Sequence, residues 1–308
     1  MSAAEPAALA ERFRRADVVM VEFPWQFRVS RRLAPARTPC VYSSANVETD
    51  KFRSWAEAVE VSQARASPWL RYIERAERHA VAHADLVTTV CDLDREVFID
   101  RFGADPARTI VVPNGVDTRR FRPTGAEARA AMRRELGLPD RPIVLFHGSD
   151  MPANRAGLEW VRRLAAADGG FTFLVVGSVA APERSEQLVA AGRVSDMRPY
   201  LAASNFGICP VAHGGGTKLK LLECMAAGLP TVAFAEGVRG IAVRHGQHAL
   251  VAPEDEDQIL NALASLAADP LTAERLGRAA RELAERSYDW SRIAAGLEDA
   301  LLRLTRVS

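Results

Sequence analysis

The amino-acid sequence predicts an α/β protein of two parallel-sheet lobes, and three observations carry that expectation. Short apolar runs of β type recur along the chain, longer segments with helical spacing separate them, and a stretch rich in Pro, Gly and turn formers interrupts the alternation midway. Strands that alternate with helices imply parallel sheets, because a parallel neighbour is reached only by a crossover over one face of the sheet. Several runs are nearly continuous in apolar residues, as strands covered on both faces must be.

The elements follow in chain order. The opening MSAAEPAALAERFRR reads as one short helix; it is acidic before it is basic and has no apolar h-region, so it is not a secretory signal. Strand runs come next at DVVMVEF (17–23), CVYSSA (40–45), DLVTTV (85–90) and TIVVP (109–113), with PWLRYIERAERHAVAHA (68–84) as a helix among them. The interruption, PNGVDTRRFRPTGAEA (113–128), divides the chain into an N-terminal domain of residues 1–115 and a C-terminal domain of residues 116–308. Further strands are expected at IVLFHG (143–148), FTFLVVG (171–177), FGICPV (206–211) and TVAF (231–234). The helix TKLKLLECMAAG (217–228) stops at Gly228, a good residue for the position just past a helix end, and Pro230 follows. Residues 254–306 hold only helical patterns, and the last of them, Trp290 to Leu304, is expected to pack back on the N-terminal domain. Ligands of open α/β sheets bind at the carboxyl ends of strands, so two such lobes would face each other across a cleft.

Composition narrows the partners. Across 308 residues, 48% are hydrophobic and 26% charged, close to globular averages, and the net charge of +1 gives no reason to expect nucleic acid. Cys40, Cys91, Cys209 and Cys224 are scattered with no CxxC pair, which reads as buried thiols in a reducing compartment. No apolar run approaches the ~20 residues of a membrane span, so a cytoplasmic protein is expected. The six histidines lack metal-ligand spacing, and Asp92-Leu93-Asp94 reads as a helix N-cap with a first-turn acid; no metal is expected. RVSRRLAPAR (28–37) has four arginines and no acid, so it is a solvated face or one that meets an anionic acceptor or a lipid surface. Trp55 and Trp69 are expected in core packing or helix–helix contact.

The segment richest in chemistry is AHGGGTKLKLLECMAAGLP (212–230), which follows a buried strand and opens into an amphipathic helix. Gly214, Gly215 and Gly216 let the backbone approach a ligand with no Cβ in the way. Thr217 leads into a first helical turn whose unpaired N–H groups and positive dipole end suit an anion. Lys218 and Lys220 add positive charge, and Glu223, on a neighbouring face, can accept two hydroxyl hydrogen bonds such as a ribose offers. The alternative is an ordinary loop with a capped helix and an i,i+3 ion pair.

This segment resembles the GGGT(R/K)LKxLExMAAGxP signature of GT-B glycosyltransferases in the large retaining family 4 and its relatives. The likeness continues through IVVPNGVDTRRF, ADLVTTVCDLDREVF, IVLFHGS, FLVVG and GRVSDMRPYLAASNFGICPV, from about Asp17 to the C-terminus. It implies two Rossmann-like domains facing a cleft, the C-terminal one binding a nucleoside-diphosphate sugar. The glutamate that binds the donor ribose falls on Glu223, whereas a second glutamate common in the wider family is replaced by Gly215. An arginine usual after the strand glycine is replaced by Ser149 after Gly148; Arg155 occupies the place of the second, lysine, cation, and Lys218 or Lys220 would make up the loss. Val194, within GRVSD (192–196), would frame the base. In SSANVETDKF (43–52) Ala45 replaces a histidine found in many relatives, while Asn46 and Glu48 remain to touch the donor sugar or the acceptor; Glu48 equally suits a helix-start acid. Relatives begin with further βα units, so the resemblance implies an abbreviated N-terminal domain or a start upstream of Met1.

The activity implied is that of a hexosyltransferase-type enzyme moving a sugar to an acceptor hydroxyl, on a glycan, a lipid-linked acceptor or a small molecule, with retention and with neither metal nor cofactor. Arg155, Lys220, Asn46 and Glu48 are the catalytic candidates. Gly148, Ser149, Gly214, Gly215, Gly216, Thr217, Lys218, Glu223 and Val194 are the donor-binding candidates. Peripheral contact with the inner membrane surface is compatible with this reading. The departures at Ala45, Gly215 and Ser149 keep a second reading open: a degenerate, non-catalytic protein that binds nucleotide or a partner protein.

Overall fold

The computed structural model describes residues 4–167 and 170–307. It divides into two compact units, one of Met1–Pro113 with Arg292–Ser308 and the other of Asn114–Ser291.

The first unit runs α1 (Ala4–Arg15), β1 (Val19–Val21), α2 (Pro24–Leu33), β2 (Cys40–Ser43), α3 (Glu48–Ala58), α4 (Gln63–His83), β3 (Leu86–Thr89), α5 (Asp92–Phe102) and β4 (Thr109–Val111). Its four strands form one sheet in the order β1-β2-β3-β4. Every pairing is parallel, with Val19 opposite Cys40, Val41 opposite Leu86 and Val87 opposite Thr109. The turns leading into α3 and α5 therefore leave the same, carboxyl edge. Tyr42 on β2 is fully buried and meets Phe27 of α2 and Phe98 of α5 edge-on, at centroid separations of 6.2 and 5.9 Å. Such pairs fix ring geometry beyond simple area burial.

The second unit holds α6 (Ala126–Glu135), β5 (Ile143–His147), α7 (Pro152–Ala167), β6 (Thr172–Val176), β7 (Glu183–Arg184), β8 (Leu188–Gly192), α8 (Arg198–Ala203), β9 (Phe206–Cys209), α9 (Leu219–Ala226), β10 (Thr231–Ala233), α10 (Ala235–Val238), β11 (Leu250–Val251), α11 (Glu256–Ala268) and α12 (Pro270–Ser287). The C-terminal α13 (Trp290–Val307) closes the chain. The sheet order is β11-β10-β9-β5-β6-β8-β7, parallel except where β7 runs antiparallel to β8. Strand alternation sorts the core: Val144, Phe146, Phe173 and Val175 pack on the face carrying Leu158 and Ile259, while Ile143, Leu145, Leu174 and Val176 pack with Leu221 and Ala280. After β5 the chain builds β6 on one side and returns later to place β9 on the other. That reversal makes the carboxyl ends of β5 and β9 the switch point, where open α/β sheets take their ligands.

All eight apolar runs of the sequence become strands. β7, β8 and β11 were not foreseen: β7 and β11 have two residues each, and β8 is Leu-Val-Ala-Ala-Gly, whose alanines and glycine have little strand propensity. Gly228 adopts φ 66° just past α9, as its position in the sequence requires. Two expectations need correction. The N-cap of α5 is Cys91 rather than Asp92, which lies with Asp94 in the first turn. Trp55 and Trp69 are exposed at 42% and 61% rather than packed away. All four cysteines are buried and free.

Candidate functional site

β9 ends at Cys209, and the chain then turns through 210–218 before α9 begins at Leu219. Gly214 has φ 129° and Gly216 φ 63°, values that exclude most side chains, so these two glycines are a conformational requirement. The loop is held from its carbonyl side. Lys218 Nζ donates to Gly216 O at 3.1 Å and Gly215 O at 3.4 Å, and forms an ion pair with Glu236 at 3.0 Å. On the amide side, no protein acceptor takes the main-chain N–H of Gly214, Gly215, Gly216 or Thr217 among the described residues. The Thr217 hydroxyl is fixed by Asn114 Nδ2 at 2.8 Å. Backbone donors left without protein partners beside a helix start are ready for an anion.

The neighbouring strand supplies a second group of residues. β5 ends in His147, followed by Gly148. A Cβ on Gly148 would lie 2.8 Å from the Asn154 side chain, and one on Gly177 would lie 2.2 Å from Gly148 O, so glycines let these strand ends close up. Asn154 donates to Ser149 O at 2.8 Å and accepts from Lys220 Nζ. The Lys220 ammonium also lies over the Phe146 ring at 4.6 Å. Burial lowers the pKa of Lys220, because desolvation disfavours its charged form. Burial raises that of Glu223, against the charges of Arg120 and Lys220. His147 Nδ1 lies 3.5 Å from Glu223 Oε2. Buried His147 is neutral: burial first, and the Lys220 charge next, bring its pKa down to about 3, against a backbone hydrogen bond with Lys220 that raises it. Its Nε2 is buried with no hydrogen-bond partner.

Of the sequence candidates, the structure thus brings Gly148, Gly214, Gly215, Gly216, Thr217, Lys218, Lys220 and Glu223 to the ends of two adjacent strands. Val194 packs partly buried against the neighbouring core, beyond β8. Arg155 stands apart in solvent, with a side chain 63% exposed; its guanidinium grips Asp150 at 2.5 and 3.0 Å. Lys218 faces the loop carbonyls and Glu236, so its charge holds the loop shape. His147, Asn154 and Arg120 were missed. Arg120 acts on Glu223 and lies 3.8 Å from Asp196 of the 192–196 loop. His147 had a legible signal, a polar residue ending an otherwise apolar strand beside Gly148; Arg120 and Asn154 had none.

Asn46 and Glu48 lie in the first unit. Asn46 Nδ2 donates to Glu48 Oε1 at 3.2 Å, and Lys51 pairs with the same oxygen at 3.3 Å. This segment is clamped from below by Glu77, wholly buried on α4. Its carboxylate accepts from Glu48 N at 2.6 Å, from Thr49 N at 3.1 Å and from the Thr49 hydroxyl. Burial pushes Glu77 up to about 7 despite these bonds. Among the described residues no cluster of His, Cys, Asp and Glu is arranged to hold a metal ion.

Comparison with known proteins gives these geometries a context. A family model described as Glycosyltransferase Family 4 matches residues 1–120, and one described as Glycosyl transferases group 1 matches residues 141–269. A D-inositol 3-phosphate glycosyltransferase from Streptomyces bingchenggensis is 32% identical over 256 residues, covering 75% of this chain and 55% of the relative. One from Geodermatophilus obscurus is 35% identical over 207 residues, 59% of this chain and 44% of the relative. The chain therefore spans about half the length of these curated relatives. Among solved structures, sucrose-phosphate synthase from Thermosynechococcus elongatus superposes with TM-score 0.77 at 22% identity, covering 99% of this chain and 77% of that one. Anabaena HepE in complex with UDP-glucose superposes with TM-score 0.75 at 18% identity, over 96% of this chain and 81% of that one. At such identities the likeness establishes the GT-B type of fold.

Proposed function

The chain belongs to the group 1 and family 4 glycosyltransferases, and from that premise we propose that it transfers a sugar from a nucleoside-diphosphate donor to an acceptor hydroxyl. The observation that carries this reading is the row of main-chain amides at 214–217 without acceptors among the described residues, at the start of α9. HepE, in which UDP and UDP-glucose are bound, supports a uridine nucleotide as the first donor to test.

In this reading the diphosphate lies on the amides of Gly214, Gly215, Gly216 and Thr217, with the Lys220 ammonium beside it. Glu223, 3.5 Å from His147, accepts from the ribose hydroxyls, and Val194 borders the base. Asn46 and Glu48 serve the sugar or the acceptor. The chemical difficulty is departure of a diphosphate that gains negative charge as an oxocarbenium-like sugar forms. Donors fixed in place before the reaction stabilise that charge more in the transition state than in the ground state. A lysine and a ring of amides neutralise the leaving group without requiring a metal, and family membership supports retention at the anomeric carbon. The acceptor class is a hydroxyl on a glycan, a lipid-linked molecule or a small polyol; the inositol phosphate named for the relatives is the first acceptor to test. We place the protein in the cytoplasm or at its membrane surface; no helix among the described residues is long and apolar enough to cross a membrane.

A thermal-shift panel of nucleoside diphosphates and their sugar conjugates tests the donor. One nucleotide should raise the melting temperature with a mass-action dependence on concentration. Gly214→Val, which forces a branched side chain to φ 129°, should abolish that rise in a folded protein. A flat panel with folded wild-type protein would overturn donor binding, and binding without hydrolysis or transfer would return the non-catalytic reading.

A further inference from the structure

The turn between β9 and α9 carries a hydroxyl at Thr217, and a residue far back along the chain sets its orientation. Asn114, 103 positions earlier, donates from Nδ2 to Thr217 Oγ1 at 2.8 Å. A threonine hydroxyl has one proton and two lone pairs, so it can donate and accept at once. Here one lone pair is taken by the Asn114 amide, which turns the proton away from Asn114. No protein acceptor takes that proton among the described residues. The main-chain N–H of Thr217 is without one as well, together with those of Gly214, Gly215 and Gly216. Thr217 therefore offers donors from both its main chain and its side chain, the polarity that an anion requires.

Asn114 is itself firmly placed. It is the first residue of the second unit and stands two positions before Val116. Val116 N donates to Tyr288 O at 2.8 Å, and Val116 O accepts from Trp290 N at 3.3 Å. Two residues further on, Thr118 N donates to Asp289 Oδ2 at 3.3 Å, and the Thr118 hydroxyl bonds the same oxygen. Arg281 Nη2 donates to Thr118 O at 2.8 Å from α12. A segment tied down so closely after Asn114 leaves its side chain little freedom to follow a moving loop. The loop is instead referred to Asn114.

We propose that Asn114 is a positioning residue for the donor diphosphate, acting through Thr217: its amide commits the Thr217 hydroxyl to donate, and that hydroxyl serves the oxygens of the leaving group. This deepens the sugar-transfer reading and rests on it, since the anion concerned is the diphosphate assigned to the same loop. A donor oriented beforehand needs no reorganisation as charge develops on the leaving oxygens. An oxygen that already accepts a hydrogen bond also donates more strongly, because bonds in a chain polarise one another.

The test is calorimetric titration of the full chain with uridine, guanosine and adenosine diphosphates, continued with the tightest of the three. Thr217→Val removes the hydroxyl and should weaken that diphosphate about ten- to hundredfold, whereas Thr217→Ser should lose no more than about threefold. Asn114→Ala leaves the hydroxyl free to rotate and should lose about three- to tenfold. Asn114→Asp keeps a hydrogen bond but reverses it, since a carboxylate only accepts, and should lose more than alanine does. The part of that loss due to added charge is read in a Thr217→Val background; the excess seen with Thr217 present measures the reversal. Asn114→Ala should have no further effect once Thr217→Val is in place. A residue that merely braced the loop would tolerate aspartate better than alanine and would lower the melting temperature in step with affinity. That pattern would overturn the proposal. So would full affinity in folded Thr217→Val, or an Asn114→Ala loss that persists without the hydroxyl, and both would leave donor binding intact. A folded wild type that binds none of the three diphosphates would overturn the donor reading and this proposal with it.

Discussion

Each unit starts a helix at the carboxyl edge of its sheet, but the two helix starts are completed differently. In the first unit the leading amides of α3 are filled by the buried carboxylate of Glu77, an acceptor supplied by the chain itself. In the second, the amides leading into α9 have no protein acceptor among the described residues, and Lys218 grips only the carbonyl side of the loop. Water can satisfy such half-exposed donors at a helix start, and an anionic ligand can replace it. The filled start is a structural joint, and the open one is where the proposed diphosphate would bind. The difference also shows how similar local patterns, strand then turn then helix, can serve opposite ends.

His147 and Glu77 should contribute pH dependences of opposite sign, and the larger belongs to His147 in the second unit. His147 titrates near 3 in the fold against an ordinary 6.5, so the unfolded chain takes up a proton that the folded chain refuses. Stability from neutral His147 is therefore present above pH 6.5 and is lost as pH falls from 6.5 towards 3, up to roughly 5 kcal/mol. Denaturant unfolding with hydrogen exchange at the amides of β5 and β6 would show the slope, and His147→Gln should flatten it. An acid-insensitive second unit would remove His147 from its buried, neutral role.

Glu77 has the opposite sign. Its folded pKa of about 7 lies above the ordinary 4.5, so the folded chain keeps a proton that the unfolded chain has lost. Its contribution is present below pH 4.5 and is lost as pH rises to 7, by about 3 kcal/mol, after which stability is level. Glu77→Gln should remove this slope. Glu77→Ala should cost about 2–4 kcal/mol below pH 4.5, because two amides and a hydroxyl lose their acceptor, and correspondingly less above pH 7. Exchange at the amides of Glu48 and Thr49 is the readout; unchanged protection in Glu77→Ala would mean that the helix start is not completed in the manner described.

The sequence made the open helix start legible and the filled one nearly illegible, for a physical reason. Three glycines after a buried strand and before an amphipathic helix advertise positive φ and missing side chains at consecutive positions, and Gly214 and Gly216 fulfil that. Glu77 lies 29 and 28 positions from the amides it accepts from, in a helix full of charged residues, and nothing local separates it from its exposed neighbours. Arg120, near Glu223 across a hundred positions of chain, was hidden likewise. Strands were recovered wherever β-branched and aromatic residues ran together; β8 escaped because only Leu188 and Val189 of its five residues are large and apolar, the rest being alanines and a glycine. The two lysines of the segment separate in their contacts. Lys218 and Lys220 look equivalent in TKLKLLE, yet one supports the loop from behind and the other lies beside Asn154 and Phe146.

That distinction predicts a separation of affinity from stability. Lys220→Met keeps the volume and removes a buried charge, so folding stability should hold or rise. Nucleotide affinity should fall about ten- to hundredfold, the equivalent of one charge-assisted hydrogen bond of ~1.5–3 kcal/mol. Lys218→Met should lose both together, because the loop carbonyls and Glu236 lose their partner. Calorimetric titration with the nucleotide identified by thermal shift, alongside denaturant unfolding, separates the two cases. Equal affinity losses with equal stability losses would merge the two lysines into one structural role.

The smallest effect concerns Arg155, whose guanidinium must leave Asp150 before it can reach any diphosphate. The pair is exposed and screened, so exchanging one anion for another yields only part of a charge-assisted bond. Arg155→Ala should therefore weaken nucleotide binding by less than about tenfold, whereas Asp150→Asn, which frees the guanidinium, should strengthen it several-fold. The double variant then decides the matter. If Arg155 is the group released, Asp150→Asn has no benefit in an Arg155→Ala background, and the coupling between the two positions equals the whole gain. If the gain persists without Arg155, the asparagine acts by easing negative charge near the strand ends, and Lys220 is left as the cation of the site.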